Sequence, residues 1–241
     1  MRAGVPLLLL PLLAAAAPAA PQAERAGERA LMALTVANMA ETSGASATKR
    51  LDPKVVRAMR EVPRHLFVPP AMAPLAYRNA ALPIGYEQTI SQPYIVALMT
   101  HLLDVQPGHR VLEVGTGSGY QAALLSRLAG EVRTIEIVEP LAKEAADRLR
   151  RLRYSNVTVK AGDGYRGWPE NAPFDRIMVT AGAPHVPQPL LEQLRPGGRL
   201  VIPVSRGRDG EMLMLVEKDS RGRVRSRDVL RVRFVPLTRL P

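Results

Sequence analysis

Between Arg110 and Val204 short apolar runs alternate with segments whose apolar residues recur at helical spacing. Val111 to Val114, Val132 to Ile137, Val157 to Lys160, Ile177 to Thr180 and Arg199 to Val204 have the length and β-branched content of strands. Tyr120 to Leu128 and Leu141 to Leu152 read as helices, and Leu190 to Leu194 belongs to a third that ends at Pro196-Gly197-Gly198. Repeated strand–helix units predict a mostly parallel, doubly wound α/β sheet with helices on both faces. The period changes at the carboxyl end, where Met212 to Glu217 and Val224 to Val235 flank a polar turn and predict an antiparallel pair.

Ahead of this region the pattern is helical. Asp52-Pro53 reads as an N-cap followed by a first-turn proline, and Val55, Val56, Met59 and Val62 form an apolar stripe. Pro63, Pro69 and Pro70 end it. From Ala76 to Pro93 there is no clear period, which predicts a long loop, packed because it carries Ile84, Ile90 and Tyr94. Tyr94 to Leu103 is again an apolar-striped helix. The expected organisation is a signal-peptide-like segment over 1–23, a helix and linker over 24–48 with its polar loop beginning near Glu41, an N-terminal cap and substrate loop over 49–105, and the main domain over 106–241.

The first 23 residues combine Arg2, an apolar run from Val5 to Ala17 and the small-x-small triplet Ala17-Pro18-Ala19, as in a secretory signal. An Ala/Pro extension, or a start placed ahead of Met32 or Met39, is the other reading. Pro6, Pro11 and Pro18 break the run too often for a membrane span, so no stable membrane anchor is expected. Absence of cysteine excludes disulfides, a thiolate nucleophile and sulfur-ligated zinc, and four scattered histidines suggest no metal. Aromatic residues make up only 4%, too few for a single-strand stacking platform. The net charge of +11 comes from 28 Arg and 5 Lys against 22 acidic residues. These cations are dispersed, the densest run being Arg221 to Arg233, and they read as a solvated surface, not a nucleic-acid footprint.

The chemistry is concentrated in Val111-Leu112-Glu113-Val114-Gly115-Thr116-Gly117-Ser118-Gly119-Tyr120, a strand running through a glycine-rich turn into a helix. Glycines there let the backbone approach a ligand closely. Tyr120 stands where a dinucleotide fingerprint wants its third glycine, and no Lys-Ser/Thr follows as in a P-loop. The loop therefore suits a nucleoside-type ligand such as S-adenosyl-L-methionine. Glu136 ends the next strand, 17 residues after Gly119, where a carboxylate can accept ribose hydroxyls. Gly162-Asp163-Gly164 follows the third strand, where Asp163 could accept from an adenine amino group.

Further segments carry a family resemblance. Val62 to Pro69 (VPRHLFVP), Ala81 to Gly85 (ALPIG), Gln88 to Tyr94 (QTISQPY), the glycine loop, Gly162 to Trp168 (GDGYRGW), Ala172 to Asp175 (APFD) and Phe234 to Thr238 (FVPLT) resemble protein-L-isoaspartate O-methyltransferases over roughly residues 52 to 238. Gly182 departs from the pattern, which usually has Ala, and Asn79 stands where Asp is common. The resemblance implies methyl transfer from S-adenosyl-L-methionine to the free carboxylate of L-isoaspartyl residues in damaged peptides and proteins. It implies Ser91 as the active-site residue, a hydrogen-bonding group and not a nucleophile, with Thr89 and Ile90 beside it on the substrate. Glu113, Gly115, Thr116, Gly117, Ser118, Gly119, Glu136, Asp163 and Gly164 are the expected cofactor-binding residues. Thr238 either returns to the cofactor pocket or caps a strand. His65 and Trp168 are read as structural. The expected enzyme is a cytoplasmic monomer without nucleic acid; export through residues 1–23 is the alternative for location, and a same-fold methyltransferase acting on RNA or another substrate, or a non-catalytic cofactor binder, for function.

Overall fold

The computed structural model describes residues 22–42 and 50–239. Most of the signal-like segment, and the expected loop beyond Thr42, lie outside the described residues. Helices α1 (Gln22–Thr42), α2 (Pro53–Glu61) and α3 (Pro93–Leu103) precede the sheet region, with a small hairpin, β1 (Leu82–Gly85) and β2 (Gln88–Ile90), between α2 and α3. Asp52 caps α2 by accepting the Lys54 N–H at 2.9 Å, as the Asp-Pro pair predicts. The hairpin corrects the expectation of a long loop over 76–93, although the segment is packed as expected, with Ile84, Ile90 and Tyr94 buried. Its strands are only four and three residues long, and its Tyr86-Glu87 turn takes φ of 52° and 59° without a glycine or asparagine. Neither the period nor the turn chemistry that announces a hairpin is present in the sequence.

The remaining elements are β3 (Arg110–Val114), α4 (Tyr120–Ser126), β4 (Glu131–Glu136), α5 (Glu139–Arg151), β5 (Val157–Ala161), β6 (Phe174–Val179), α6 (Gln188–Gln193), β7 (Leu194–Ser205), β8 (Glu211–Lys218) and β9 (Val224–Val232). They form one seven-stranded sheet in the order β5-β4-β3-β6-β7-β8-β9. Pairing is parallel from β5 to β7 and antiparallel from β7 to β9. Strand β7 begins at Leu194, earlier than the expected Arg199, because its pairing with β6 starts at Phe174 and runs through an irregularity around Pro196-Gly197-Gly198. Alternate strand residues serve two cores. Val111, Val132, Met178 and Val201 face α1 to α5, whereas Leu112, Ile135, Ile177 and Leu200 face the α6 side. All six residues of β6 are buried, as a central parallel strand covered on both faces requires.

The chain leaves β3 for β4 on one side and later returns to β6 on the other. The carboxyl ends of β3 and β6 thus form the switch point at which open α/β sheets bind ligands.

Candidate active site

A cavity opens at that switch point. Its wall joins Thr89, Ile90 and Ser91 of the hairpin segment to Gly115, Thr116, Gly117 and Ser118 of the glycine loop, to Glu136 at the end of β4, and to Gly164 after β5. Segments distant in sequence are thereby brought onto one surface. Gly115, Gly117 and Gly119 take φ of 98°, 53° and 87°, which only glycine adopts without strain. Gly115 also has no room for a side chain: a Cβ there would lie 2.3 Å from Thr180 Oγ1, which donates to the Gly115 carbonyl at 2.7 Å. Over Gly117 sits Ile84 of the hairpin, with its Cδ1 3.3 Å from where a Cβ would be. Tyr86 at the hairpin tip donates to Glu144 of α5 at 3.0 Å and ties this cover to the sheet domain.

The Glu136 carboxylate is buried and accepts one N–H on each oxygen, from Gly117 at 2.7 Å and from Val138 at 3.1 Å. A carboxylate has about four acceptor sites, so capacity remains for hydroxyl donors. Ser91 is half-buried, and among the described residues its hydroxyl has no hydrogen-bond partner. Among the described residues no Lys, Arg or His lines the cavity, and Glu136 is the one carboxyl in its wall.

Three expected cofactor residues do not reach the wall. Gly119 caps α4 and packs under Leu149 of α5. Asp163 caps the following 3-10 turn by accepting the Tyr165 N–H at 2.9 Å, which sets Gly164 in the wall. Glu113 lies fully buried beneath the loop, accepting from Thr134 Oγ1 at 2.5 Å, and Thr134 in turn meets Thr116 Oγ1 at 2.7 Å. Burial pushes the Glu113 carboxyl up to about 8, with the neighbouring negative charge of Glu136 adding to the effect. Its Oε1 has no hydrogen-bond partner among the described residues.

The Phe-Val-Pro-Leu-Thr motif brings Val235 to Thr238 into the wall, which also contains residues not expected to bind cofactor or substrate: Val96 and Met99 of α3, Tyr120 and Gln121 of α4, and Thr180 and Ala181 after β6. Thr180 and Ala181 were recoverable from topology alone, since β6 flanks the switch point. His65 stands apart from the cavity, 2.6 Å from the Tyr77 hydroxyl, and Trp168 packs on the α6 side beneath Lys160 and Arg133.

The profile of the protein-L-isoaspartate(D-aspartate) O-methyltransferase (PCMT) family matches residues 44–240. The chain belongs to this family. A protein-L-isoaspartate O-methyltransferase 1 of Cupriavidus necator is 57% identical over 211 residues, which cover 87% of this chain and 82% of that one. A protein-L-isoaspartate O-methyltransferase 2 of Syntrophobacter fumaroxidans is 61% identical over 188 residues, 78% of this chain and 76% of that one. Among solved structures, a protein-L-isoaspartate O-methyltransferase superposes with a TM-score of 0.72 at 28% identity, over 85% of this chain and 65% of that longer one. A Plasmodium falciparum structure with S-adenosyl-L-homocysteine bound shares the fold at a TM-score of 0.71 and 23% identity, over 87% of this chain and 98% of that one.

Proposed function

We infer that this protein transfers a methyl group from S-adenosyl-L-methionine to the free carboxylate of L-isoaspartyl residues in damaged peptides and proteins, initiating their repair. The observation that carries this reading is a cavity that joins the Thr89-Ile90-Ser91 segment to the glycine loop and Glu136, with no cationic side chain of the described residues in its wall. The residues fit the cofactor: a tight glycine cradle admits its bulk, and Glu136 offers acceptor capacity for ribose hydroxyls. The absence of wall cations suits a ligand without phosphates and with a positive sulfonium. S-adenosyl-L-methionine supplies an electrophilic methyl carbon when bound.

The protein's own task is placement. A carboxylate with a reference pKa near ~4 is already a nucleophile at neutral pH, so no general base is required. The Ser91 hydroxyl donates to that carboxylate and orients it, while Thr89 and Ile90 seat the peptide. Orientation of this kind supplies about 7 to 11 kcal/mol. Glu136 and the backbone of residues 115–118 hold the nucleoside end. Asp163 acts through the turn it caps, and Glu113 through the Thr134–Thr116 hydrogen-bond chain beneath the loop. The hairpin and the segment from Val235 to Thr238 exclude water from above.

We further propose that the enzyme is a cytoplasmic monomer that takes no nucleic acid. Its cofactor is made from ATP in the cytosol and is a charged molecule that does not cross membranes unaided. Among the described residues no helix is long and apolar enough to span a membrane. The deciding experiment is transfer of labelled methyl to an isoaspartyl peptide, with its aspartyl twin as control. Label in the isoaspartyl peptide alone, released as methanol in base as an ester requires, is expected. Equal labelling of both peptides, or of neither, defeats the reading.

A further inference from the structure

The last described segment of the chain forms part of the cavity wall without belonging to the sheet. Residues 233–238 leave β9 and cross back over the carboxyl end of β6 as an extended strap. Two backbone hydrogen bonds hold its middle: the Gly182 N–H donates to the Val235 carbonyl at 2.8 Å, and the Leu237 N–H donates to the Gly182 carbonyl at 2.7 Å. Its entry is held differently. The Phe234 N–H donates to a side chain, Glu211 Oε2, at 2.7 Å. Glu211 is the first residue of β8 and is absent from the cavity wall.

Gly182 explains how that carboxylate fits. A Cβ on Gly182 would lie 1.9 Å from Glu211 Oε1 and 2.8 Å from its carboxyl carbon, closer than real atoms approach. The backbone itself makes no such demand, because Gly182 is not among the glycines with positive φ. A side chain at position 182 would therefore displace the Glu211 carboxylate, the end of a flexible side chain, and not the backbone.

We propose that Glu211 is a positioning residue for the methyl-transfer reaction: its carboxylate, seated in the space left by the missing side chain of Gly182, holds the Phe234 amide and thereby sets the strap that walls the cavity. Glu211 touches neither substrate nor cofactor in this arrangement; it acts through Val235 to Thr238. The proposal rests on the reading of the cavity as the methyl-transfer site, but the latch can be measured apart from turnover.

The test compares Gly182→Ala, Glu211→Ala, Glu211→Gln and the double variant Gly182→Ala/Glu211→Ala. Three measurements are made on each: the rate of tryptic cleavage after Arg233, calorimetric affinity for S-adenosyl-L-homocysteine, and KM and kcat for an isoaspartyl peptide. Loss of one hydrogen bond to a charged acceptor should speed cleavage after Arg233 about tenfold in Gly182→Ala and in Glu211→Ala. In both, KM for the peptide should rise more than kcat falls. Glu211→Gln keeps an acceptor for the Phe234 amide and should restore slow cleavage. The double variant should be no worse than Glu211→Ala, because the added methyl then meets no carboxylate. Wild-type cleavage and affinity in Gly182→Ala overturn the proposal, as do double-variant losses equal to the product of the single ones. A wild-type protein that binds the cofactor product yet labels no isoaspartyl peptide defeats the functional reading instead, while the cleavage series still judges the latch.

Discussion

Glu113→Gln isolates the energetic consequence of a carboxyl buried beneath the cofactor loop. The group has an ordinary value of 4.5 and is pushed up to about 8 in the folded protein. Below pH 4.5 both folded and unfolded chains carry the proton, and Glu113 imposes no pH-dependent penalty. Above it the unfolded chain sheds a proton that the folded protein keeps, so stability falls as pH rises and levels off above about 8. Each pH unit above the ordinary value costs about 1.36 kcal/mol, which makes the penalty on the order of 3 kcal/mol at pH 7. The amide that replaces the carboxyl in the variant cannot titrate. It still accepts from Thr134, although an NH2 placed where Oε1 lacks a partner costs about 1 to 3 kcal/mol at every pH. The diagnostic quantity is therefore the pH dependence of the difference between variant and wild type, in which all other titrations cancel. Urea unfolding at pH 5, 6, 7 and 8 should show the variant gaining roughly 4 kcal/mol relative to wild type across that range. Stability curves that run parallel from pH 5 to 8 refute a proton held on Glu113.

Two further outcomes test the wall of the site. Glu136→Ala should weaken S-adenosyl-L-homocysteine binding by about 1.5 to 3 kcal/mol, the usual loss for hydrogen bonds to a charged group, and calorimetry showing unchanged affinity removes it from the ribose. Ser91→Ala should lower kcat about tenfold or more with little change in melting temperature, because the half-buried hydroxyl has no partner among the described residues; full turnover would make it a bystander.

The parallel sheet was legible in the sequence because its strands are short apolar runs at regular intervals and its loop glycines occur where only glycine fits. Glu136 was legible because a carboxylate that closes the strand after a glycine turn stands beside that turn once the two strands pair in parallel. The hairpin was not, since Pro83 and Gly85 interrupt its only alternation and its turn uses Tyr86 and Glu87 at positive φ. Nor could the pattern separate Glu113 from Glu136. Both are acidic residues near strand ends, but Glu113 stands one residue earlier relative to its strand's end and points beneath the loop toward Thr134, while Glu136 is the last residue of its strand and reaches the cavity. The strap was visible as the Phe-Val-Pro-Leu-Thr motif, yet its anchor was not, because Glu211 and Gly182 are joined only by the fold.

The distribution of charge bears directly on how such a site works. The chain has 33 basic against 22 acidic side chains, yet among the described residues no basic one lines the cavity. An arginine there would meet a substrate carboxylate and a sulfonium within a few ångströms. At 4 Å and an effective dielectric of about 20, each unit-charge interaction is worth about 4 kcal/mol, attractive to the nucleophile and repulsive to the methyl donor. Both effects oppose reaction, since they hold the carboxylate in its ground state and expel the cation it must attack. Neutral hydroxyls orient the carboxylate without that penalty, and they lose little as its charge is consumed in the transition state. The surface cations act at longer range, over a Debye length of about 8 Å at physiological ionic strength, where they favour the approach of acidic chains. Attraction is thus placed on the outside of the molecule and alignment on the inside, so that a cation-free cavity within a strongly basic protein is what a reaction between a carboxylate and a sulfonium requires.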